Sequence, residues 1–374
     1  MKMYSIIRTA LMAGTLVVVS ASAPAGELVF GSYLPPKHNV NTQGLEPLFK
    51  ELKPKINWKL VSGGQLFSGN ATLKSVGNRV ADAGIVIPAY VQSALKNAFL
   101  SMDLMFVADD SMVANAAMLD TFFFDCPQCL ADYHKAKTVL LGTYGLDGYS
   151  LMCRDPAITT IGDIKGKRIR TTGALGRFTV AFGGSPVAMS SGDMVEAISR
   201  GQIDCIFGAI AWLKAYPIED SIRSIIEIRT GATTVDLFVM NRQSWKALTR
   251  EQQLLMLRKM PGAVARTTVA GYFGDDAKAQ RIAKKMGIPF HAPDKKFASL
   301  YDSFRKKEIA VVIERAKKRG AKDPEKIVEA IFRNYEKWNK LIGAQDRSNL
   351  KTLTDKYAKL LWEHIYSKVD PAKL

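Results

Sequence analysis

The sequence predicts an α/β protein of two lobes whose last third is helical. Three observations carry this expectation. Short strand-like runs alternate with helix-like runs through the first two thirds of the chain, the pattern of layered sheets. At 374 residues the chain exceeds the size at which one hydrophobic core stops growing, so two domains are expected. From Ser244 onward the apolar residues recur at helical spacing.

The elements follow in chain order. Lys2 and Arg8 flank the start of an apolar run over 9–21, and small residues continue through Ala23-Pro24-Ala25. That is the pattern of a secretory signal peptide cleaved near Ala25, and the run is too short to span a bilayer. Strands are expected over 28–34, 56–62, 83–87, 139–144, 150–154, 168–172, 186–189, 203–208, 224–228 and 235–241. Helices are expected over 245–260, 263–286, 296–319 and 350–367, the last with Leu350, Leu353, Tyr357, Leu360 and Leu361 on one stripe. The polar stretch Gly145–Gly148 and the segment Gly231–Thr234 suit crossovers between lobes, where few contacts have to cross.

The formal charge is +17, or +15 without Lys2 and Arg8. Such a balance attracts anions at long range without saying which. An export signal, with acidic residues spread through the same helices, argues against nucleic acid. The basic run Lys317–Lys322 reads as a solvated face. Cys126-Pro-Gln-Cys129 reads as a local disulfide in an exported protein, in preference to a redox pair, and Cys153 and Cys205 as buried thiols in apolar strands. No nucleophile elbow, zinc-protease or phosphate-loop motif occurs. The histidines, His38, His134, His291 and His364, are too scattered for a sequence-local metal site. Neither a metal nor a cofactor is expected, and binding is expected in place of catalysis.

One strand stands out. In Arg168-Ile-Arg-Thr-Thr172 alternation puts Arg168 and Arg170 on one face, polar where a core strand is apolar. A guanidinium on a rigid strand offers a planar fork that matches a carboxylate. Spacing alone leaves a solvent-facing strand edge equally open.

Five segments, in order, resemble the substrate-binding proteins of tripartite ATP-independent periplasmic (TRAP) transporters, of the dicarboxylate-binding-protein type. They are Ile56–Phe67 with its Gly-Gln-Leu turn, Val76–Ile85, Ile158–Arg170, Met194–Asp204 and Phe238–Gln253. The resemblance runs from about Leu28 to about Ile365. It implies a two-lobed periplasmic-binding-protein fold with mixed sheets and a long interlobe helix. Lobe I would comprise 26–147 plus about 236–275; lobe II would comprise 148–235 plus about 276–374 with the closing helices.

The resemblance also implies a monomeric periplasmic protein that captures a small organic acid and hands it to membrane permease subunits. Arg170 matches the family's carboxylate-binding arginine. Thr172, Tyr149, Ser150, Gly208, Trp212, His38 and Pro88 join it as expected ligand contacts, His38 with a helix-capping alternative and Trp212 with an ordinary core alternative. Two departures disfavour a doubly charged ligand. Gly148-Tyr-Ser150 stands where many members carry a second arginine, and Gly208 where they carry an asparagine. Arg154, Arg168 and Arg177 are the candidates for a substitute. Outside this reading stand an uncharged or zwitterionic ligand, an exported enzyme, and a basic protein that binds acidic polymers.

Overall fold

The alternating strands sort into two sheets, one per lobe, in a computed structural model that describes residues 26–343 and 345–374. The expected signal segment, 1–25, lies outside the described residues. In the first lobe β1 (Leu28–Gly31), β2 (Trp58–Val61), β3 (Ala83–Val86), β4 (Thr138–Leu146) and β10 (Thr233–Asn241) form a sheet of order β2-β1-β3-β10-β4. β1 is parallel to both neighbours, and β10 runs antiparallel to β3 and β4. In the second lobe β5 (Ser150–Cys153), β6 (Arg168–Thr171), β7 (Ser185–Ala188), β8 (Cys205–Gly208), β9 (Ser224–Ile226) and β11 (Phe290–His291) take the order β11-β9-β5-β8-β6-β7. Each of the ten expected strands has a counterpart within a few residues. Only β11 is new, and two residues are too few to show alternation.

Two crossovers join the sheets, β4 to β5 through Asp147–Tyr149 and β9 to β10 through Glu227–Ala232; they overlap the expected segments, of which Gly145–Leu146 belong to β4 and Thr233–Thr234 to β10. The two crossovers lie against each other. The Tyr149 amide donates to Thr230 Oγ1 at 2.8 Å, and the Thr230 amide donates to the Tyr149 carbonyl at 3.1 Å. A Cβ at Gly148 would sit 1.6 Å from the Thr230 carbonyl oxygen, so only glycine allows this approach.

The third link is the expected long helix. After the short helix Arg242–Ala247, a capping box of Thr249 and Gln252 starts Arg250–Ala265, which continues through the π-helical Arg266–Phe273 into Gly274–Lys285. Its first part packs on β4 and the helix Glu46–Leu52, its last on Trp212–Ala215 of the other lobe. Among the described residues no helix is long and apolar enough to cross a membrane.

Two expectations need correction. Cys153 and Cys205 are not free thiols: they face each other across antiparallel β5 and β8 and form a disulfide, as Cys126 and Cys129 do. The closing helices Pro324–Ile342, absent from the sequence expectation, and Leu350–His364 pack on lobe I, not lobe II. Buried polar partners explain the choice: Trp338 Nε1 donates to Asp120, and Asn115 Nδ2 donates to the Tyr357 hydroxyl.

Candidate functional site

The lobes meet at a narrow, nearly filled pocket with about 370 Å³ of empty space, its opening included. Arg170 forms one wall. It sits on β6, between β7 and β8, with 2% of its surface exposed. Its Nε donates to the Met189 carbonyl at 3.1 Å and its Nη2 to the Tyr90 hydroxyl at 3.0 Å. Its guanidinium carbon stands 5.6 Å from the Trp212 ring centroid. Among the described residues no carboxylate forms an ion pair with Arg170, and no protein group accepts from Nη1.

Tyr90 reaches this point from the other lobe. Pro88 opens the turn Pro88–Tyr90 after β3, and the Tyr90 hydroxyl crosses the cleft to accept from both Arg170 and the Ser191 amide, the latter at 2.9 Å. An oxygen accepting twice keeps its own proton to donate.

The remaining walls are aromatic and apolar. Lobe I and the bridging helix supply Tyr33, Leu34, His38, Ile87, Met102, Tyr144, Leu146, Val235 and Tyr272; the second lobe supplies Tyr149, Thr172, Ser191, Trp212 and Tyr216. Tyr149 and Trp212 pack with centroids 5.4 Å apart, Trp212 and Tyr216 at 5.6 Å, and Tyr144 stacks on Tyr272 at 5.5 Å. Six of the chain's twelve tyrosines line this one pocket.

Burial decides the electrostatics. It lowers the His38 imidazole to about 3, against the pull of Asp275, so the ring is neutral at ordinary pH. His38 Nδ1 accepts from the Val40 amide at 3.2 Å, which assigns the proton to Nε2. Burial raises the hydroxyls of Tyr33, Tyr144, Tyr149, Tyr216 and Tyr272 above the ordinary tyrosine value. Arg170 is thus the one charged side chain among the lining residues. Trp212 Nε1 is sealed with no well-formed hydrogen bond, beside the Tyr272 hydroxyl.

Of the residues expected from sequence, Arg170, Thr172, Tyr149, Trp212 and His38 come together here, and three do not line the pocket. Gly208 lies beneath Trp212: a Cβ there would come 2.3 Å from the indole, so the glycine seats the ring. Ser150 pairs with Gly208 in the sheet and faces a wider crevice of about 1530 Å³ beside the crossovers. Pro88 positions Tyr90 without lining the pocket itself.

None of the candidate second arginines lines the pocket. Arg168 turns out to Asp204 at 2.8 Å, Arg177 is held by Asp103 and Glu308, and Arg154 lies beside Gly201. The wider crevice is lined by Asp109, Asp147 and Asp276 as well as Arg229 and Arg347, so an anion there would meet carboxylates. Of the aromatic side chains around the pocket, the sequence pointed to Tyr149 and Trp212, and to Pro88 two residues before Tyr90. Tyr33, Tyr144, Tyr216 and Tyr272 come from separate segments, and only the fold unites them.

A family model described as bacterial extracellular solute-binding protein, family 7, matches residues 30–304. Solved structures similar to this chain include a TRAP periplasmic solute-binding protein of Bordetella bronchiseptica with bound mandelate, at 21% identity, TM-score 0.72, covering 83% of this chain and 99% of that one. A TRAP solute-binding protein of Rhodoferax ferrireducens with copurified benzoate matches at 18% identity and TM-score 0.73, covering 84% and 99%. One from Xanthobacter autotrophicus with bound β-D-galacturonate matches at 17% identity and TM-score 0.66, covering 83% and 99%. No curated protein matches the chain in sequence.

Proposed function

We infer the role from a plain premise: the chain belongs to the bacterial extracellular solute-binding proteins of family 7, the DctP family. We propose that it captures a small organic acid in the Arg170 pocket and delivers it to the membrane permease subunits of a TRAP-type transporter, without transforming it. The carrying observation is Arg170 itself, a buried guanidinium that no carboxylate of the protein neutralises among the described residues. Arginine keeps its charge in proteins, so such a group calls for an anion.

The ligand class follows from the walls. One guanidinium satisfies one carboxylate, with the Tyr90 proton as a second donor, while a second carboxylate among tyrosines and aliphatic side chains would be desolvated without a partner. The proposal is a monocarboxylate with an aromatic or apolar body that packs on Trp212, Tyr149 and Tyr144. The mandelate and benzoate of two similar structures support it. Binding would shift an open–closed equilibrium toward closure, because Arg170 and Ser191 of one lobe both engage Tyr90 of the other.

The test is a thermal-shift plate of organic acids on the mature protein, since a ligand of the folded state raises apparent stability with its concentration. Benzoate and mandelate should stabilise it more than succinate or malate at equal concentration. A stronger effect from the dicarboxylates would reject the monocarboxylate reading, and no response to any acid would reject organic-acid capture.

A further inference from the structure

Three connections converge at the pole of the first lobe opposite the cleft. The turn after helix Thr72–Gly77 brings Arg79, the end of helix Pro127–Lys135 brings His134 and Lys137, and the end of β10 brings Arg242 and Lys246. Asn241 draws them together. Its side chain donates to the Val76 and Gly77 carbonyls and accepts from the amides of Gln243 and Ser244, while the Arg242 amide donates to the Lys137 carbonyl. A Cβ at Gly77 would lie 2.3 Å from the Ala136 carbonyl oxygen, so glycine permits the close approach. The result is a groove with about 960 Å³ of empty space.

A lone exposed lysine needs no explanation, but this cluster differs from an ordinary solvated face in three ways. No carboxylate side chain lines the groove. Among the described residues none of Arg79, Lys137, Arg242 and Lys246 makes an ion pair, so nothing from the protein offsets the four cations gathered in this one groove. Arg242 Nε is sealed from solvent with no acceptor, a donor that has lost water and gained nothing from the protein. His134, which hydrogen-bonds the main chain of Leu374, registers the crowding: burial first, then Arg242 and Lys246, lower it below the ordinary imidazole value.

We propose that this groove binds an oxyanion of the phosphate class, as a site separate from the organic-acid pocket. Two guanidinium forks and two ammonium groups suit the several oxygens of a tetrahedral anion, and the anion would relieve the mutual repulsion of the cluster. Along β10 the six-residue step from Val235 in the pocket to Asn241 in the groove is roughly 20 Å at ~3.3 Å per residue, so both sites can be filled at once. The phosphate can come from solution or from the headgroups of an anionic lipid surface.

The experiment uses the mature chain and two triple variants. R79Q/K137Q/R242Q empties the groove of charge; K284Q/K285Q/K307Q removes the same charge from exposed lysines elsewhere. Inorganic phosphate and pyrophosphate are titrated by calorimetry at fixed ionic strength, and co-sedimentation is measured with phosphatidylcholine vesicles with and without phosphatidylglycerol. Wild type and control should bind, and the groove variant should bind at least tenfold more weakly. Loss confined to the soluble anions assigns a free-phosphate site, and loss of vesicle pelleting assigns a lipid headgroup. Equal loss in both triple variants means diffuse charge alone, which overturns the proposal, as does the absence of binding by wild type to either probe. Retained organic-acid binding in the groove variant shows that it folds.

Discussion

Arg170 and Arg177 stand seven residues apart in the same lobe, both largely buried and both facing the other lobe, yet their surroundings are opposite. Arg177 is neutralised twice from within the protein. Its Nη1 meets Asp103 of lobe I at 2.8 Å, and its Nη2 meets Glu308 of the helix Lys295–Lys318 at 2.6 Å; Asp103 also faces Arg319 at 3.4 Å. Burial alone would lower its pKa, but Glu308 and Asp103 reverse this and hold it above the ordinary arginine value. Arg170 has only a carbonyl, a hydroxyl and an indole face. The contrast separates a structural ion pair from a binding group: both arginines sit between the lobes, and only the unneutralised one asks for a ligand.

The comparison breaks most sharply in variants of the two residues. Arg177→Ala leaves Glu308 buried without its partner and Asp103 with Arg319 alone. Losing one side of a buried pair typically costs roughly 3–5 kcal/mol, so chemical denaturation should show a large fall in stability. Carboxylate affinity measured by calorimetry on the folded fraction should stay close to wild type. The reverse result, stable protein that no longer binds, would make Arg177 a ligand contact. Arg170→Ala should do the opposite. Binding should weaken by about 2–5 kcal/mol, on the order of thirtyfold or more, while the melting temperature without ligand stays put or rises. Unchanged affinity would reduce Arg170 to a packing residue and end the organic-acid reading.

How much of this was legible follows from the same residues. The period-two pattern of the β6 stretch singles out Arg168 and Arg170 but cannot tell them apart, because both lie on one face of a short strand. Position along the strand decides: Arg168 begins it at the exposed end beside Asp204, and Arg170 is two residues deeper, where the sheet meets the cleft. The strands and most helices were readable because they follow from local periodicity, and the bridging helix was expected from the family resemblance. The tyrosine ring and the Cys153–Cys205 bond were not, since each joins segments far apart in sequence, and pairing of that kind is settled by sheet register. The placement of the closing helices was missed likewise, for it rests on single buried contacts such as Trp338 to Asp120.

Tyr90 sharpens the comparison at a smaller scale, as the lobe I partner that Arg170 has where Arg177 has Asp103. Tyr90→Phe removes one hydroxyl that serves Arg170, Ser191 and, on this reading, the ligand. A hydrogen bond to a charged group contributes about 1.5–3 kcal/mol, so affinity should fall by roughly ten- to a hundredfold. Small-angle scattering of the variant with saturating ligand should show a larger open fraction than wild type. Equal affinity and equal closure would mean that the aromatic ring alone, and not the hydroxyl, matters at this position.

Asp236 supplies the converse case, a buried carboxyl with no cation. It lies on β10 with no exposed surface; Tyr133 donates to its Oδ2 at 2.8 Å, and its Oδ1 has no partner. Unlike an arginine, a carboxylate can discharge itself, and burial raises this one to about 8, against the lowering effect of the Tyr133 hydrogen bond. No ligand is needed to explain it. The sign of the pH dependence follows. Between the ordinary carboxylate range and about 8 the folded protein holds a proton here that the unfolded chain has released, so this group makes stability fall as pH rises through that window. Asp236→Asn cannot ionise and loses that slope. The difference in melting temperature, variant minus wild type, should therefore climb from pH 5 to pH 8, even if the variant starts lower because its amide hydrogens must fit where a carboxyl sat. A difference that stays flat would show that Asp236 ionises in the usual range. A buried charge without a protein partner could then persist in this fold without serving a ligand, and the unneutralised Arg170 would not by itself call for one.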